Sequence, residues 1–338
     1  MPKPKIAIVN SSSFGKHFPQ HLERLKSMAE VARIDVPIDI ETKALAAELQ
    51  GIHGIIASVT PFFPRAVLER TPELVLIARH GIGCDNVDLE AASSLGILVS
   101  RVEGVIEREA VAEHAVTLLL SVGRFIHRGY NSVRESRWQD RALYLGIELR
   151  NKRIGLLGIG NIGSRVAEIL TLGFHAEVVA CDPFLTNEEI RRRHAAPLSL
   201  NELLASSDVV SFHCPVNKHT KRMLNRDTFR TMKAGAILIN TCRGELLDED
   251  ALVDSLRSGH LRAYGADVVE GEPIDGEHRL LSIPNVLIVP HLAGYTDESL
   301  FGMGETMVQD VINVFVARKP PGILANPEVI EREYRRWP

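Results

Sequence analysis

The chain has 338 residues, of which 45% are hydrophobic and 24% charged, and its formal net charge is −4. Because single cores seldom grow beyond about 250–300 residues, this length predicts two domains. Two short arginine runs, residues 191–193 and 335–336, indicate solvated surface and not a nucleic-acid site. No apolar run could span a bilayer, and a strand pattern from Lys5 onward leaves no room for a signal peptide. We therefore expect a cytoplasmic protein without nucleic-acid or membrane partners.

The first hundred residues alternate short apolar runs with amphipathic stretches. We predict strands over residues 5–9, 31–34, 54–58, 74–78 and 97–100. We predict helices over residues 19–30, 42–49, 64–70 and 88–95. Asp88 is expected to begin the last of these helices and Gly96 to end it. Strands separated by helices of this length pair in parallel through right-handed crossovers.

A longer helical pattern follows over residues 109–128, with apolar side chains at helical spacing from Val111 to Val122. We expect this helix to bridge two domains. Residues 129–150 have no clear period and carry Trp138 and Tyr144 among several arginines. We interpret them as an irregular arm that reaches a second subunit.

From Lys152 onward a second alternating unit begins. We predict its strands over residues 153–157, 178–181, 209–213, 236–240, 264–268 and 286–289. A final helix is predicted over residues 298–317, long enough to cross back to the first domain. In that case the first domain is discontinuous in sequence.

A glycine-rich turn in this unit has the context of a dinucleotide site. Gly158, Gly160 and Gly163 form a G-x-G-x-x-G pattern between a predicted strand and a helical pattern over residues 162–172. Gly158 permits the tight turn, Gly160 lets the backbone approach a pyrophosphate, and Gly163 lets the helix pack closely on the strand. The first N–H groups of the helix, at Asn161 and Ile162, are expected to face the diphosphate.

Asp182 stands at the end of the next strand, nineteen residues past Gly163. A carboxylate there accepts hydrogen bonds from the adenosine ribose and repels a 2′-phosphate, so NAD is favoured over NADP. The arginines at 191–193 leave the opposite assignment open as an alternative. The four cysteines (Cys84, Cys181, Cys214 and Cys242) lack metal-binding or disulfide spacing and are interpreted as small buried hydrophobes.

Three polar residues downstream supply the chemistry for hydride transfer on a carboxylate-bearing alcohol. Arg243 offers a planar fork of donors for a carboxylate and a neighbouring carbonyl. His291 has an ordinary pKa near neutrality, so it can take up and return the hydroxyl proton. Glu272 would pair with His291, hold its ring and stabilise its charged form.

These motifs, together with residues 79–88, resemble those of the D-isomer-specific 2-hydroxyacid dehydrogenases, in the same order and over nearly the whole chain. The resemblance and the alternating pattern predict a Rossmann-type NAD-binding α/β domain over residues 103–292. It would be inserted in a discontinuous flavodoxin-like substrate domain of residues 1–102 and 293–338. The resemblance implies a homodimer that contacts through the helix from Glu109 and the arm after it, and no metal, because Arg243 takes the part of a Lewis acid.

The resemblance also implies roles for other residues. Asp267 would contact the nicotinamide carboxamide, and Cys242 would lie beside the coenzyme. The substrate carboxylate would bind to the loop of His80, Gly81, Ile82 and Gly83, whose backbone N–H groups would form a small anion nest together with Arg243. The implied reaction is the reversible, NAD(H)-dependent interconversion of a D-2-hydroxy acid and its 2-oxo acid.

Some residues depart from the family pattern and bear on the substrate. Ala57 replaces an arginine that phosphoglycerate dehydrogenases use, although Arg79 is retained, and Arg101 stands in an atypical charged turn. Phe62 and Phe63 make the substrate loop apolar, which suggests a less charged and larger 2-oxo acid. Two other functions use the same motifs and stay open: an NAD(H)-sensing binding protein of the corepressor type, and a phosphite dehydrogenase.

Overall fold

A computed structural model describes residues 3–331, so the predicted surface run at Arg335 and Arg336 lies outside the described residues. The chain divides into two compact units. Unit 1 is built from two segments, up to Glu107 and from Tyr295 onward, and unit 2 runs from Arg108 to Gly294. The roles assigned to the two predicted domains stay predictions.

The strands and α-helices follow one another along the chain. They are β1 (Lys5–Val9), α1 (Pro19–Met28), β2 (Glu30–Ile34), α2 (Thr42–Glu48), β3 (Gly54–Ala57), α3 (Arg65–Leu68), β4 (Leu76–Arg79), α4 (Leu89–Ser94), β5 (Leu98–Arg101), α5 (Arg108–Gly123), α6 (Ile126–Arg134), β6 (Arg153–Leu157), α7 (Asn161–Glu168), β7 (Glu177–Cys181), α8 (Asn187–Arg192), β8 (Ala196–Pro197), α9 (Leu200–Ser206), β9 (Val209–Phe212), α10 (Arg226–Thr231), β10 (Ala236–Asn240), α11 (Glu249–Arg257), β11 (Leu261–Ala266), β12 (Val286–Ile288) and α12 (Asp297–Val311). Shorter 3-10 or π-helical segments are Trp138–Leu143, Ile169–Gly173, Gly244–Leu246, Arg279–Ser282, Ile312–Val316 and Pro327–Glu331.

Unit 1 is a parallel sheet with helices on both faces. Its strand order is β2-β1-β3-β4-β5, the flavodoxin-like order that was predicted. Alternate residues of β1 point to opposite faces. Ile6 and Ile8 join the core under α1 and α12, whereas Ala7 and Val9 join the core under α2, α3 and α4. Asp88 caps α4 as predicted, since its carboxylate accepts the N–H of Ala91.

The β5 edge of this sheet is covered by the chain that follows α12. The N–H of Arg101 donates to Ile323 at 3.1 Å and the N–H of Ala325 donates to Val99 at 2.8 Å. The buried side chain of Asn326 accepts the N–H of Val99 at 2.9 Å. Residues 323–326 therefore act as a short antiparallel cover on β5.

Unit 2 is also a parallel sheet, with the order β12-β11-β10-β9-β6-β7-β8. Counted from β6, this order is 3-2-1-4-5-6 with a seventh strand added, so the predicted Rossmann-type fold is confirmed. Two apolar cores cover its two faces, and α5 contributes Ala115, Leu118 and Val122 to one of them. No helix within residues 3–331 has the length and apolarity of a membrane span.

Two predictions of secondary structure were wrong. The helix expected over residues 109–128 ends at Gly123, because Phe125 takes a left-handed conformation with φ +54°. The arm expected to be irregular begins with α6 and continues in a 3-10 segment. The strands of unit 2 are close to their predicted positions, but α9, α10 and α11 were not predicted.

Candidate functional site

The candidate site residues of unit 2 lie at the carboxyl edge of its sheet. In the order of the strands β12, β11, β10, β9, β6 and β7, the residues that follow them are His291, Asp267, Arg243, His213, Gly158 and Asp182. Connections leave β6 in opposite directions, so the switch point of the sheet lies between β6 and β9. Ligands of open parallel sheets bind at such a point, outside the carboxyl ends of the strands.

The three glycines of the turn after β6 have different surroundings. Gly158 has φ +92°, and a Cβ there would stand 2.5 Å from the carbonyl oxygen of His213. A Cβ on Gly163 would stand 2.5 Å from the carbonyl oxygen of Gly158. A Cβ on Gly160 would meet no atom within 4 Å. Gly158 and Gly163 are therefore required by packing, whereas Gly160 leaves open space beside the turn.

Asp182 braces this turn from the end of β7. Its Oδ2 accepts the N–H of Ile159 at 3.0 Å and its Oδ1 accepts the N–H of Phe184 at 3.0 Å. The carboxylate is half-buried, and the Phe184 side chain next to it is 87% exposed. This is the position that the dinucleotide fold uses for the adenosine ribose.

The residues at this edge fit a dinucleotide coenzyme. Space beside Gly160 lies at the start of α7, whose first N–H groups carry a partial positive charge suited to a diphosphate. Within residues 3–331, the buried atoms Nδ1 of His213 and Oγ1 of Thr241 have no hydrogen-bond partner, and ligand oxygens or amides satisfy such groups. Metal-binding clusters of His, Cys, Asp and Glu are absent from the described residues.

The predicted acid–base pair is brought together. Nδ1 of His291 is hydrogen-bonded to Oε1 of Glu272, and the two side chains are 34% and 33% exposed. The other carboxylate oxygen of Glu272 accepts the N–H of Val269 at 3.2 Å. A carboxylate on Nδ1 fixes the orientation of the ring and directs proton exchange to Nε2.

The turn that carries His291 is held by Asp267, which is 1% exposed. The backbone carbonyl of Asp267 accepts the N–H of His291 at 2.9 Å, and its two carboxylate oxygens accept the N–H groups of Leu292 at 2.6 Å and Ala293 at 2.9 Å. These bonds hold His291 at φ +54°, a conformation that is unfavourable for a residue with a Cβ. His114 of α5 lies 3.4 Å from Oδ1. The contact of Asp267 with a nicotinamide stays a prediction.

The loop after β10 presents Arg243 next to the segment that leads to Glu272. Buried Asn240 shapes the loop, since its side chain accepts the N–H of Cys242 at 3.0 Å and donates to the carbonyl of Arg243 at 2.8 Å. A Cβ on Gly244 would overlap the backbone of Val269 and Glu270. The absence of a side chain at Gly244 thus lets the two loops touch.

Burial raises the pKa of the two thiols that follow β9 and β10, Cys214 and Cys242. The Cys242 thiol donates to the carbonyl of Phe212 at 3.0 Å, and burial raises its pKa to about 12. Burial likewise raises the pKa of Cys214 to about 11. Both groups are protonated at neutral pH, and a thiolate is the reactive form. All four cysteines are free, as predicted, but they are partly buried and not fully buried as the interpretation as small buried hydrophobes implied.

The predicted carboxylate loop of unit 1 follows β4. Gly81 has φ +149°, and its N–H donates to the carbonyl of Arg79 at 2.8 Å, so this N–H does not face a ligand. In the part of the chain that the structure describes, the N–H groups of Ile82 and Gly83 have no hydrogen-bond partner. The imidazole of His80 packs edge-on against Phe14, and burial, assisted by the charge of Arg79, lowers its pKa to about 3. The loop thus offers backbone donors rather than a charged histidine.

The side chain of Arg79 holds this loop through hydrogen bonds to backbone carbonyls. Its side chain is 4% exposed, and Nη1 donates to the carbonyl of His80 at 2.8 Å and to that of Ala57 at 3.4 Å. Phe63 is fully buried in the core and Phe62 is 61% exposed, so only Phe62 can make the substrate loop apolar. Arg101 is half-buried, and its backbone N–H binds the chain that covers β5.

The structure adds residues that the sequence analysis did not single out. They are His213, Thr241, Asn240 and His114. The signal for the first three was their place directly after or at the end of a predicted strand. Burial lowers the pKa of His213 to about 4, and its Nε2 lies 3.0 Å from the hydroxyl of Ser211.

Comparison with known proteins is consistent with this geometry. The family model described as D-isomer specific 2-hydroxyacid dehydrogenase, NAD binding domain, matches residues 116–293. A glyoxylate reductase of Aeropyrum pernix is 32% identical over 337 residues, which are 98% of each chain. A D-3-phosphoglycerate dehydrogenase of Archaeoglobus fulgidus is 33% identical over 281 residues, which are 83% of this chain and only 53% of that longer relative. The solved structure of an NADPH-dependent glyoxylate/hydroxypyruvate reductase from Sinorhizobium meliloti, in complex with NADP and malonate, is similar with a TM-score of 0.82 and 29% identity over 96% of this chain and 97% of that one.

Proposed function

Since this chain belongs to the D-isomer specific 2-hydroxyacid dehydrogenase family of NAD-dependent oxidoreductases, we propose that it interconverts a D-2-hydroxy acid and its 2-oxo acid through Arg243, Glu272 and His291. The observation that carries this assignment of residues is the hydrogen bond between His291 and Glu272. It lies at the same sheet edge as the glycine turn and the Arg243 loop. A histidine oriented by a carboxylate is the usual form of a general acid–base.

Arg243 would bind the substrate carboxylate and polarise the carbonyl at C2, because its planar fork of donors matches both oxygens. The N–H groups of Ile82 and Gly83 are our prediction for a second carboxylate anchor. Holding the substrate carboxylate in place orients C2 for hydride transfer. Correct orientation accounts for a large part of the lowering of a reaction barrier by an enzyme.

When bound, the nicotinamide coenzyme supplies or accepts the hydride at C2. In the direction of reduction, Nε2 of protonated His291 gives its proton to the carbonyl oxygen as the alcohol forms. In oxidation the same nitrogen takes the hydroxyl proton. Glu272 stabilises the imidazolium through Nδ1 in both directions. The glycine turn, the start of α7 and Asp182 would hold the coenzyme, with NAD(H) favoured by the Asp182 carboxylate.

We propose an unphosphorylated substrate. Ala57, which is fully buried, stands where phosphoglycerate dehydrogenases of the family carry an arginine, and the Arg79 guanidinium donates to backbone carbonyls. The names of two similar proteins that align over nearly their full length, glyoxylate reductase and glyoxylate/hydroxypyruvate reductase, point in the same direction. The name of the D-3-phosphoglycerate dehydrogenase, of which this chain covers 53%, does not. Small 2-oxo acids are therefore the first substrates to test.

The test is NADH consumption against a panel of glyoxylate, hydroxypyruvate, pyruvate, 3-phosphohydroxypyruvate, 2-oxoglutarate and branched or aromatic 2-oxo acids. We expect turnover of an unphosphorylated acid and a fall in kcat of about 100- to 10,000-fold in His291→Ala. His194→Ala, at an exposed histidine, is the matched control and should behave as wild type. Wild-type turnover in His291→Ala would refute the assignment of the acid–base.

We also propose a homodimer formed through the arm of unit 2. Six large apolar side chains of this arm are more than half exposed: Ile126, Tyr130, Val133, Trp138, Leu143 and Leu145. The first three lie on one face of α6, and such a contiguous apolar surface is typical of an interface. Light scattering after size exclusion should give a dimer for the wild type and a monomer for Val133→Glu. The control Leu172→Glu, at an exposed leucine outside the arm, should stay dimeric.

A further inference from the structure

One of the three consecutive arginines of α8 and its end turns toward the coenzyme side of unit 2. Arg193 is half-buried, and its Nη1 donates to the carbonyl of Ile159 at 2.5 Å. Arg191 and Arg192 are exposed, and Arg192 pairs with Glu188 one helical turn away. Among these three, only Arg193 contacts the glycine turn.

Ile159 is consequently held by two groups of opposite charge. Its N–H donates to the carboxylate of Asp182, and its carbonyl accepts from the guanidinium of Arg193. Ile159 stands between Gly158 and Gly160, and its side chain is fully buried. The two charged groups therefore bind adjacent peptide groups of the glycine turn. A carboxylate and a guanidinium therefore both lie at the position that we assign to the adenosine ribose.

These two charges act in opposite ways on a coenzyme. Asp182 favours free ribose hydroxyls and repels a 2′-phosphate. A guanidinium has five N–H donors in a fork that suits phosphate oxygens, and the bond to Ile159 engages one of them. With both groups on one turn, the repulsion by the carboxylate is partly offset.

We propose that Arg193 determines coenzyme selectivity, so that the protein accepts NADPH as well as NADH, with NADH preferred. This inference rests on the proposed coenzyme site. The sequence left open that the three arginines at 191–193 help to bind NADP. The inference assigns this role to Arg193 alone.

The experiment measures the dissociation constants of NADH and NADPH by nucleotide fluorescence on the full chain, without any 2-oxo acid. We expect the wild type to bind NADPH within about tenfold of NADH, a difference of about 1.4 kcal/mol. In Arg193→Met the ratio should widen by about fivefold or more, because NADPH loses a charge-assisted contact that NADH does not make. Arg193→Lys keeps the charge and should retain most of the wild-type ratio.

Arg192→Met is the matched control, since it removes a neighbouring charge that pairs with Glu188, and its ratio should not change. Equal weakening of both nucleotides in Arg193→Met, or a wild type that binds NADPH more than 100-fold more weakly than NADH, would overturn the inference. A melting curve without nucleotide checks that each variant is folded.

The outcomes separate this inference from the proposed reaction. A wild type that binds neither nucleotide would remove the coenzyme site and the inference with it. A protein that shows the expected change of ratio but reduces none of the acids would support the role of Arg193 and contradict the proposed reaction.

Discussion

The loops at the carboxyl edges of the two sheets differ in the charged side chains that brace them: unit 2 uses carboxylates in addition to Arg193, whereas the loop after β4 in unit 1 uses Arg79. In unit 2, the carboxylates of Asp182 and Asp267 each accept two backbone N–H groups. In unit 1, the guanidinium of Arg79 donates to backbone carbonyls. A carboxylate brace engages N–H groups within the protein, whereas a guanidinium brace engages carbonyls and leaves N–H groups to face a ligand. The same architecture thus holds the turn of the proposed acid–base in unit 2 by its N–H groups, and leaves N–H groups unpaired in the loop of unit 1 that we propose as a carboxylate anchor.

The largest expected effect comes from removing the Asp267 brace. In Asp267→Asn one carboxylate oxygen becomes an NH₂ group that faces the N–H of Leu292 or Ala293, so the His291 turn loses a bond in a buried place. We expect kcat to fall by about 100-fold or more, because a small displacement of an acid–base is enough for that loss. Steady-state kinetics measure it, with the exposed Asp227→Asn as control. An unchanged kcat would mean that the turn holds without this brace.

The next effect tests the loop after β4 in unit 1, which we propose as an anchor for the substrate carboxylate. Gly81→Ala places a Cβ at φ +149° and 3.1 Å from the Arg79 guanidinium, so the loop must shift. We expect the KM for the 2-oxo acid to rise about tenfold, since backbone strain of this kind costs about 1–3 kcal/mol and displaces the donors. Gly51→Ala also places a Cβ at a positive φ, +70°, but with no atom within 4 Å of it. It should lose stability while keeping the wild-type KM, and a raised KM in both variants would argue against the anion role.

A substitution at Gly160 is expected to weaken coenzyme binding and to leave the stability of the fold unchanged. The open space at this position means that Gly160→Ala should melt at the wild-type temperature. NADH binding should nevertheless weaken by about tenfold, because the methyl group occupies space needed by the pyrophosphate. Gly173→Ala, also without an atom within 4 Å, is the control for an alanine in open space. Unchanged NADH affinity in Gly160→Ala would place the coenzyme elsewhere.

The smallest effect concerns pH, and in each unit it involves a histidine whose pKa is strongly lowered, His80 in unit 1 and His213 in unit 2. Burial lowers the pKa of His80 to about 3 and that of His213 to about 4. Below the ordinary pKa near 6.5 the unfolded chain binds a proton that the folded one does not, so stability present above pH 6.5 is lost as the pH falls toward these values. Urea unfolding at several pH values between about 6.5 and 4 should show a shallower dependence in His213→Gln than in the wild type. The exposed His219→Gln should match the wild type, and an equal slope in both variants would contradict a neutral buried His213.

The fold, and the places of the residues that we propose for the chemistry, could be predicted because they depend on local patterns. Apolar runs of strand length located the twelve strands described here except the two-residue β8, and the residues after the strands gave Arg243, Asp267 and His291. Helices α9 and α11 were missed although their start signals are present, Ser199 with Glu202 for one and Asp248 for the other. Their length is not the reason, because α11 has nine residues whereas the correctly predicted α4 has six.

What could not be predicted depends on the direction of individual groups in the folded chain. The resemblance implied an anion nest made by the backbone N–H groups of residues 80–83, but the N–H groups of His80 and Gly81 donate to the carbonyls of Ala57 and Arg79. The arginine run gave no means to choose among its members, and only packing turned Arg193 inward. Phe62 and Phe63 are adjacent and chemically identical, yet one is in the core and the other is exposed.

The strand-like cover on β5 has a consequence for how the protein can be handled. An uncovered edge strand is a template for pairing with other molecules, and here residues 323–326 occupy it while Asn326 locks the register. A cut in the connection between Ile312–Val316 and this cover would leave the sheet of unit 2 untouched and is expected to free the β5 edge of unit 1 for pairing with other molecules. Aggregation is therefore the first expected sign of proteolysis near residues 318–322.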